Sequence, residues 1–163
     1  MMKEKNVLVA YFSASGETAR LAKTLAQVTG GELYEIRSPK PYTAADLNWQ
    51  DIRSRSTLEM KDKACRPEIA GPDVEVSPYD VVFVGFPIWW YEAPRIIQSF
   101  LEKYDFSGKT VVPFATSGGS GFGRTDSILQ KSCSHETRWC SGRRLSSRAS
   151  AETVKEWVDS LGL

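Results

Sequence analysis

Residues 6–18 read NVLVAYFSASGET, and this stretch decides the fold. Asn6 to Phe12 is a near-continuous apolar run of the length that suits a strand covered on both faces, as in a parallel sheet. Ser13-Ala14-Ser15-Gly16-Glu17-Thr18 ends that run and opens a segment with helical spacing. From Thr18 to Val28, Ala19, Leu21, Ala22, Leu25, Ala26 and Val28 lie along one stripe, and Gly30-Gly31 follow as residues that tolerate a left-handed C-terminal cap. Strand, short loop and helix in this order begin a strand–helix–strand unit.

Working outward, two further apolar runs, Tyr79 to Ile88 and Thr110 to Ala115, match the first in character. Glu32 to Arg37 and Thr137 to Cys140 are weaker strand candidates, which makes five strands. Between them the spacing predicts a helix after Pro94, with Ile96, Ile97, Phe100, Leu101 and Tyr104 on one face, because proline is tolerated in a first turn. Ser150 is placed to cap a last helix, Ala151 to Leu161, through Val154, Trp157, Val158 and Leu161. The segment Thr43 to Asp62 is read as helical from the capping pair Thr43 and Asp46, although Leu47, Ile52, Leu58 and Met60 make a ragged stripe. Strands alternating with helices predict an α/β fold, a parallel sheet in the order 2-1-3-4-5 with helices on both faces.

The chain has 163 residues, 41% hydrophobic and 25% charged, enough apolar mass for one compact domain spanning residues 1–163. Its net charge of +1 excludes the overall field that gathers nucleic acid. The longest apolar run, Val81 to Tyr91, is interrupted by Gly85 and Pro87 and is far shorter than the roughly 20 residues of a spanning helix, so no membrane insertion is expected. The apolar stretch near the start is too short for a secretory segment, which points to the cytoplasm. Cys65, Cys133 and Cys140 form no C-x-x-C pair, and reduced thiols are expected.

In such a sheet ligands bind outside the carboxyl ends of the strands, where strand order reverses. The loop Ser13 to Thr18 supplies three hydroxyls, a glycine and free amides at the positive end of a helix dipole, the chemistry of a terminal-phosphate site, although Ser13 and Ser15 could equally only cap the helix. The loop Pro87-Ile88-Trp89-Trp90-Tyr91-Glu92 puts three adjacent aromatics at the sheet end, suited to a flat heteroaromatic ring or to wedging beneath the next helix. Thr116-Ser117-Gly118-Gly119-Ser120-Gly121-Phe122-Gly123 has four glycines in eight residues, a backbone that a ligand can approach closely. A phosphate pocket, an aromatic face and a bare backbone strip are together the needs of flavin mononucleotide (FMN).

At these residues the sequence resembles the flavodoxin family. Ser13-x-Ser15-Gly16-x-Thr18 matches its hydroxyl-x-hydroxyl-Gly-x-Thr phosphate loop. Gly85-Phe86-Pro87-Ile88-Trp89-Trp90 and Thr116-Ser117-Gly118-Gly119 look like its two flavin-ring loops. Tyr42 to Pro67, with Tyr-Thr-x-x-Asp and Ser-Arg-Ser-x-x-Glu, is similar to a flavodoxin-like subfamily of bacteria. The resemblance implies a three-layer flavodoxin-like sandwich with FMN held by Ser13, Ala14, Ser15, Gly16, Glu17, Thr18, Pro87, Ile88, Trp89, Trp90, Thr116, Ser117, Gly118 and Gly119. It also implies electron transfer between redox partner proteins, as a monomer or weak dimer. An FMN-dependent oxidoreductase, taking hydride from a nicotinamide donor and reducing a quinone or similar acceptor, is the alternative.

Two features depart from that pattern. No glycine lies between Gly85 and Gly108 to serve the turn beside the flavin ring, so Tyr91 or Glu92 must supply its peptide. The family's well-known carriers are strongly acidic, whereas residues 131 to 148 here hold Lys131, Arg138, Arg143, Arg144 and Arg148 against Glu136, read as a solvated basic edge. Other signals fail on spacing. Gly108-Lys109-Thr110 lacks the upstream glycine and following helix of a P-loop, Ser120 lacks the flanking glycine of a nucleophile elbow, and Cys133, His135 and Cys140 lack a fourth ligand, so no metal is expected.

Overall fold

The computed structural model describes residues 5–117 and 122–163. In chain order they form β1 (Val7–Tyr11), α1 (Glu17–Thr29), β2 (Glu32–Glu35), α2 (Arg55–Lys61), β3 (Val81–Pro87), α3 (Arg95–Lys103), β4 (Thr110–Thr116), α4 (Thr125–Gln130), β5 (Arg138–Trp139), β6 (Arg143–Arg144) and α5 (Ala151–Ser160). All strand pairings are parallel, and the order is β2-β1-β3-β4-β5, with β6 also on β4. No helix among the described residues is long and apolar enough to cross a membrane.

Strand alternation divides the core into two faces. Leu8, Ala10, Val82, Val84, Phe86, Val111 and Ala115 point to the side covered by Ile96, Ile97, Phe100 and Leu101 of α3 and Leu129 of α4. Val7, Val9, Tyr11, Val81, Phe83, Val112 and Phe114 point to the side covered by Leu21, Ala22 and Leu25 of α1 and by Val154, Trp157 and Val158 of α5. The helix stripes legible in the sequence are these buried faces. Gly30, at φ +72°, closes α1 with its amide on the Ala26 carbonyl, and the Ser150 hydroxyl accepts from the Thr153 amide to open α5.

The segment Thr43 to Asp62 departs from expectation, being helical only over Arg55–Lys61. The predicted capping pair does form, since the Thr43 amide donates to Asp46 and the Asp46 amide to the Thr43 hydroxyl. The chain then turns away, because Asn48 and Asp51 accept from the amides two residues on, bonds that compete with helix propagation. Ser54 opens α2 instead, accepting from the Thr57 amide. With Leu47 half-buried and Ile52 and Leu58 exposed, no continuous apolar face drives a longer helix.

The fifth strand, expected over Thr137 to Cys140, is one residue shorter at each end, and the edge then resumes as β6. Thr110 and Val111 pair with Arg138 and Trp139, whereas Phe114 and Ala115 pair with Arg143 and Arg144, so the edge strand gains one residue between the two contacts, as at a bulge. Gly142 occupies the gap. A Cβ there would meet the Phe122 ring at 2.5 Å and the Asp126 carboxylate at 2.7 Å, so its absence lets α4 close against the edge. Helix α4 has only six residues and was not foreseen from spacing.

Candidate functional site

At the carboxyl end of β1 the loop Ser13 to Thr18 turns through Gly16, at φ +92°, into α1. The Ser13 hydroxyl accepts from the amides of Gly16 and Ala19, both at 3.1 Å, and fixes the loop. The amides of Ser15, Glu17 and Thr18 have no partner among the described residues. Ser15 and Glu17 are exposed and Thr18 is buried, and their three amides lie at the positive end of a 13-residue helix. Thr18 is buried, and its hydroxyl lies 2.7 Å from that of Thr116 at the end of β4, tying the loop across the sheet end.

The loop after β3 is a tight hairpin. Trp89 and Glu92 exchange backbone bonds of 2.8 and 3.0 Å around Trp90 and Tyr91, which both hold positive φ, 49° and 63°. Two left-handed central residues characterise a type I′ turn, which favours asparagine and glycine and strains a bulky side chain. On its far side the turn meets the Thr125 hydroxyl, which lies 3.1 Å from the Tyr91 carbonyl and 2.5 Å from that of Phe122, its one proton shared between the two acceptors. The peptide foreseen to come from Tyr91 or Glu92 is thus held between two hydrogen-bonded ends. Replacing Tyr91 with glycine is expected to raise unfolding free energy by about 0.5 to 1 kcal/mol, the roughly 1–2 kcal/mol of left-handed strain less the extra entropy that glycine loses on folding, with urea denaturation as the measurement.

The three aromatics separate. Trp89 turns inward, edge-on to Phe12 at 5.8 Å and to Tyr42 at 5.6 Å. Trp90 and Tyr91 remain 41% and 60% exposed. Trp90 lines a cleft of about 270 Å³ with exposed Trp49 and Ile52, while Phe12, Ser13, Ala14 and Tyr42 line a second cavity of about 230 Å³ beside the phosphate loop. Pro87 is half-buried, and the buried Ile88 donates its amide to the Thr116 carbonyl. Thr116 and Ser117 follow at the end of β4, whereas Gly118 and Gly119 lie outside the described residues.

The sequence pattern over Tyr42 to Pro67 resolves into one polar knot. Arg55 stacks on the Tyr42 ring, its guanidinium carbon 3.7 Å from the centroid. The same guanidinium reaches Glu59 at 3.2 Å, the Ser38 hydroxyl at 2.8 Å and the Lys40 carbonyl at 2.8 Å, with Asp46 at 3.7 Å. Tyr42 donates to Glu59 at 2.6 Å, and burial together with that carboxylate pushes its phenol far above the ordinary tyrosine value. These bonds hold the excursion after β2 against Trp89, a function that sequence reasoning did not assign to Arg55. Arg55→Met should therefore cost about 2 kcal/mol, the scale of charge-assisted hydrogen bonds, read as a lower urea midpoint.

A second cation was missed altogether. Arg95 is 2% exposed at the start of α3, with bonds to Glu92 at 2.8 Å, Gln98 at 3.3 Å and the Met60 carbonyl at 2.6 Å. It links the aromatic turn to the end of α2. Only its place between Pro94 and the apolar stripe signalled it, and arginine at such a place is ordinarily solvated.

With this geometry, comparison with known proteins identifies the class. The flavodoxin family matches residues 6–161, and the chain belongs to that family. It is similar over nearly its whole length to two presumed flavoproteins in crystal structures. That from Bacteroides eggerthii is 47% identical, with 98% of this chain and 99% of that one covered and a TM-score of 0.92. That from Bacteroides uniformis is 49% identical, with 96% and 99% covered and a TM-score of 0.89. A flavoprotein from Lactobacillus acidophilus, solved in complex with FMN, shares the fold at 21% identity and a TM-score of 0.73, with 98% and 99% covered. None of the curated proteins compared with the chain matches it.

Proposed function

We propose that this chain is an FMN-binding electron-transfer protein, acting as one flavodoxin-like domain that carries electrons between redox partners. The observation that carries the reading is the set of amides of Ser15, Glu17 and Thr18 at the start of α1, which have no partner among the described residues. A phosphate monoester offers several acceptor oxygens and negative charge, which suits three amide donors and a helix dipole in the absence of any basic side chain in the loop. FMN, when bound, supplies chemistry in steps of one or two electrons.

The residues at the sheet end have distinct tasks in this reading. Ser13 holds the loop open by satisfying the Gly16 and Ala19 amides itself, leaving those of Ser15, Glu17 and Thr18 for the ligand. Pro87 to Trp90 with Thr116 and Ser117 bound the place for the ring, with Ala14 beside it. Trp90 and Tyr91, exposed on a turn braced at both ends, give an apolar margin that excludes water from one edge. The Thr18–Thr116 contact keeps the phosphate and ring loops at a fixed separation.

The test is a fluorescence titration of the purified chain with FMN and with riboflavin. FMN is expected to bind at least about a hundredfold more tightly, since each charge-assisted bond from an otherwise solvated amide contributes about 1.5 to 3 kcal/mol. Equal affinity for the two ligands would remove the phosphate site and the reading with it.

A further inference from the structure

We propose that the rim beside the aromatic turn is a docking face for an acidic redox protein, with Tyr91 at its centre and Arg124, Arg143 and Arg144 along its edge. The proposal rests on the electron-carrier reading above, and adds the polarity and position of the partner.

Continuity of the face follows from four contacts. Thr125 is bonded to the Tyr91 carbonyl at 3.1 Å, and Arg124 precedes it. Asp126, one residue further on, accepts from the Gly142 amide at 2.9 Å, which brings the start of α4 against the start of β6. Arg143 and Arg144 pair with Phe114 and Ala115, directly before Thr116 at the end of β4. The Leu145 amide closes the series on the Ala115 carbonyl at 2.8 Å. The three arginines and the exposed turn thus share the end of the sheet at which the loops gather.

The charge on this side is one-sided. Residues 122–150 carry six basic side chains, Arg124, Lys131, Arg138, Arg143, Arg144 and Arg148, against Asp126 and Glu136, but Arg138 pairs with Thr110 at the opposite end of β4, so the rim itself holds Arg124, Arg143 and Arg144 against Asp126, a net of +2. All six are exposed, and none forms an ion pair among the described residues. Asp126, the acid nearest the arginines in the chain, is engaged by the Gly142 amide. Three exposed guanidinium groups against one carboxylate give the rim a positive field that falls off over a Debye length of roughly 8 Å and steers anions to this face. Guanidinium groups around a half-exposed aromatic tip also form the composition that protein interfaces favour, with flexible lysines few.

Docking is measured with the FMN-loaded chain by isothermal titration calorimetry, a strongly acidic [2Fe–2S] ferredoxin serving as the acidic probe and lysine-rich cytochrome c as the opposite charge. The ferredoxin is expected to bind the parent chain at 20 mM salt, to weaken about tenfold or more by 200 mM, and to weaken by a similar factor in Arg143→Glu/Arg144→Glu. A charge-matched control, Lys5→Glu/Lys23→Glu, alters exposed lysines off this face and should shift affinity less than about twofold. Cytochrome c should bind more weakly than ferredoxin. Ferredoxin affinity that is absent, independent of salt, unaltered in the arginine pair or equally reduced in the control overturns the proposal, as does tighter binding of cytochrome c. Circular dichroism confirms that each variant is folded. Repeating the titration without FMN separates the two readings, because failure to load FMN sinks the carrier assignment and leaves the measured charge preference standing.

Discussion

Replacing Gly85 with alanine is expected to cost about 3 kcal/mol or more, the upper range of overpacking a core. Gly85 lies in the middle layer of the sheet, paired with Tyr11 on β1 and with Phe114 on β4. A Cβ at this position would overlap three atoms of the Phe114 ring, which lies over the glycine and has no exposure to solvent. The ring cannot swing out, because Phe83 and Val112 flank it on the same face and Val154, Trp157 and Val158 cover that face from α5. Neither can the strands part, since β3 is bonded on both sides. The backbone is not at issue here, for Gly85 has no positive φ. The cost is therefore purely one of volume, and it should be recovered in part by Gly85→Ala with Phe114→Leu, whose smaller side chain clears the space. Urea denaturation of the two variants measures this, and a single-variant loss under about 1 kcal/mol would show that the ring relaxes freely.

The same glycine shows why some of this molecule was legible in its sequence and some was not. The apolar strands and the stripe of α1 each repeat at the period of their element, so a linear pattern carries the information. That pattern with right-handed crossovers pointed to helices on both faces of a parallel sheet, for which 2-1-3-4-5 was the order expected and found. The loop Ser13 to Thr18 was also legible as to composition, but not as to which groups are spent locally: Ser13 satisfies two amides, and Thr18 is engaged by Thr116, 98 residues away. The stretch after Tyr42 was misread because its order comes from one guanidinium that meets Tyr42, Glu59, Ser38 and Lys40. Such a hub has no period. Helix α4 and the interrupted edge were obscure for a related reason, since they depend on Gly142 and Asp126 meeting across the loop rather than on any repeating face.

Arg95 is the other residue on which a large effect is expected, because its charge is buried and its partners lie on two different segments. Arg95→Met should cost about 3 kcal/mol, at the lower end for breaking a buried pair, since Glu92 keeps some access to water. The arginine also stands at the start of α3, where the helix dipole disfavours a cation. Its retention there is offset by Glu92 at 2.8 Å and by the Met60 carbonyl at 2.6 Å, which bind the aromatic turn to the end of α2. Loss of the guanidinium therefore leaves the Met60 carbonyl without its charged donor and frees the carboxylate that ends the Trp89–Glu92 hairpin. Glu92→Gln keeps an acceptor toward Arg95 and should cost less, about 1 to 2 kcal/mol. In the double variant the losses should fall short of the sum, because the second change removes a partner already stranded. A purely structural strut would lower stability alone. Since the turn carries Trp90 and Tyr91 to the rim of the proposed ring site, Arg95→Met should also weaken FMN binding, by about tenfold if roughly 1.4 kcal/mol of ordering must be restored on binding. Titration well below the denaturation midpoint separates the two effects, and unchanged FMN affinity in a folded Arg95→Met protein would mean that the turn is positioned by Thr125 and its own backbone bonds without help from α2.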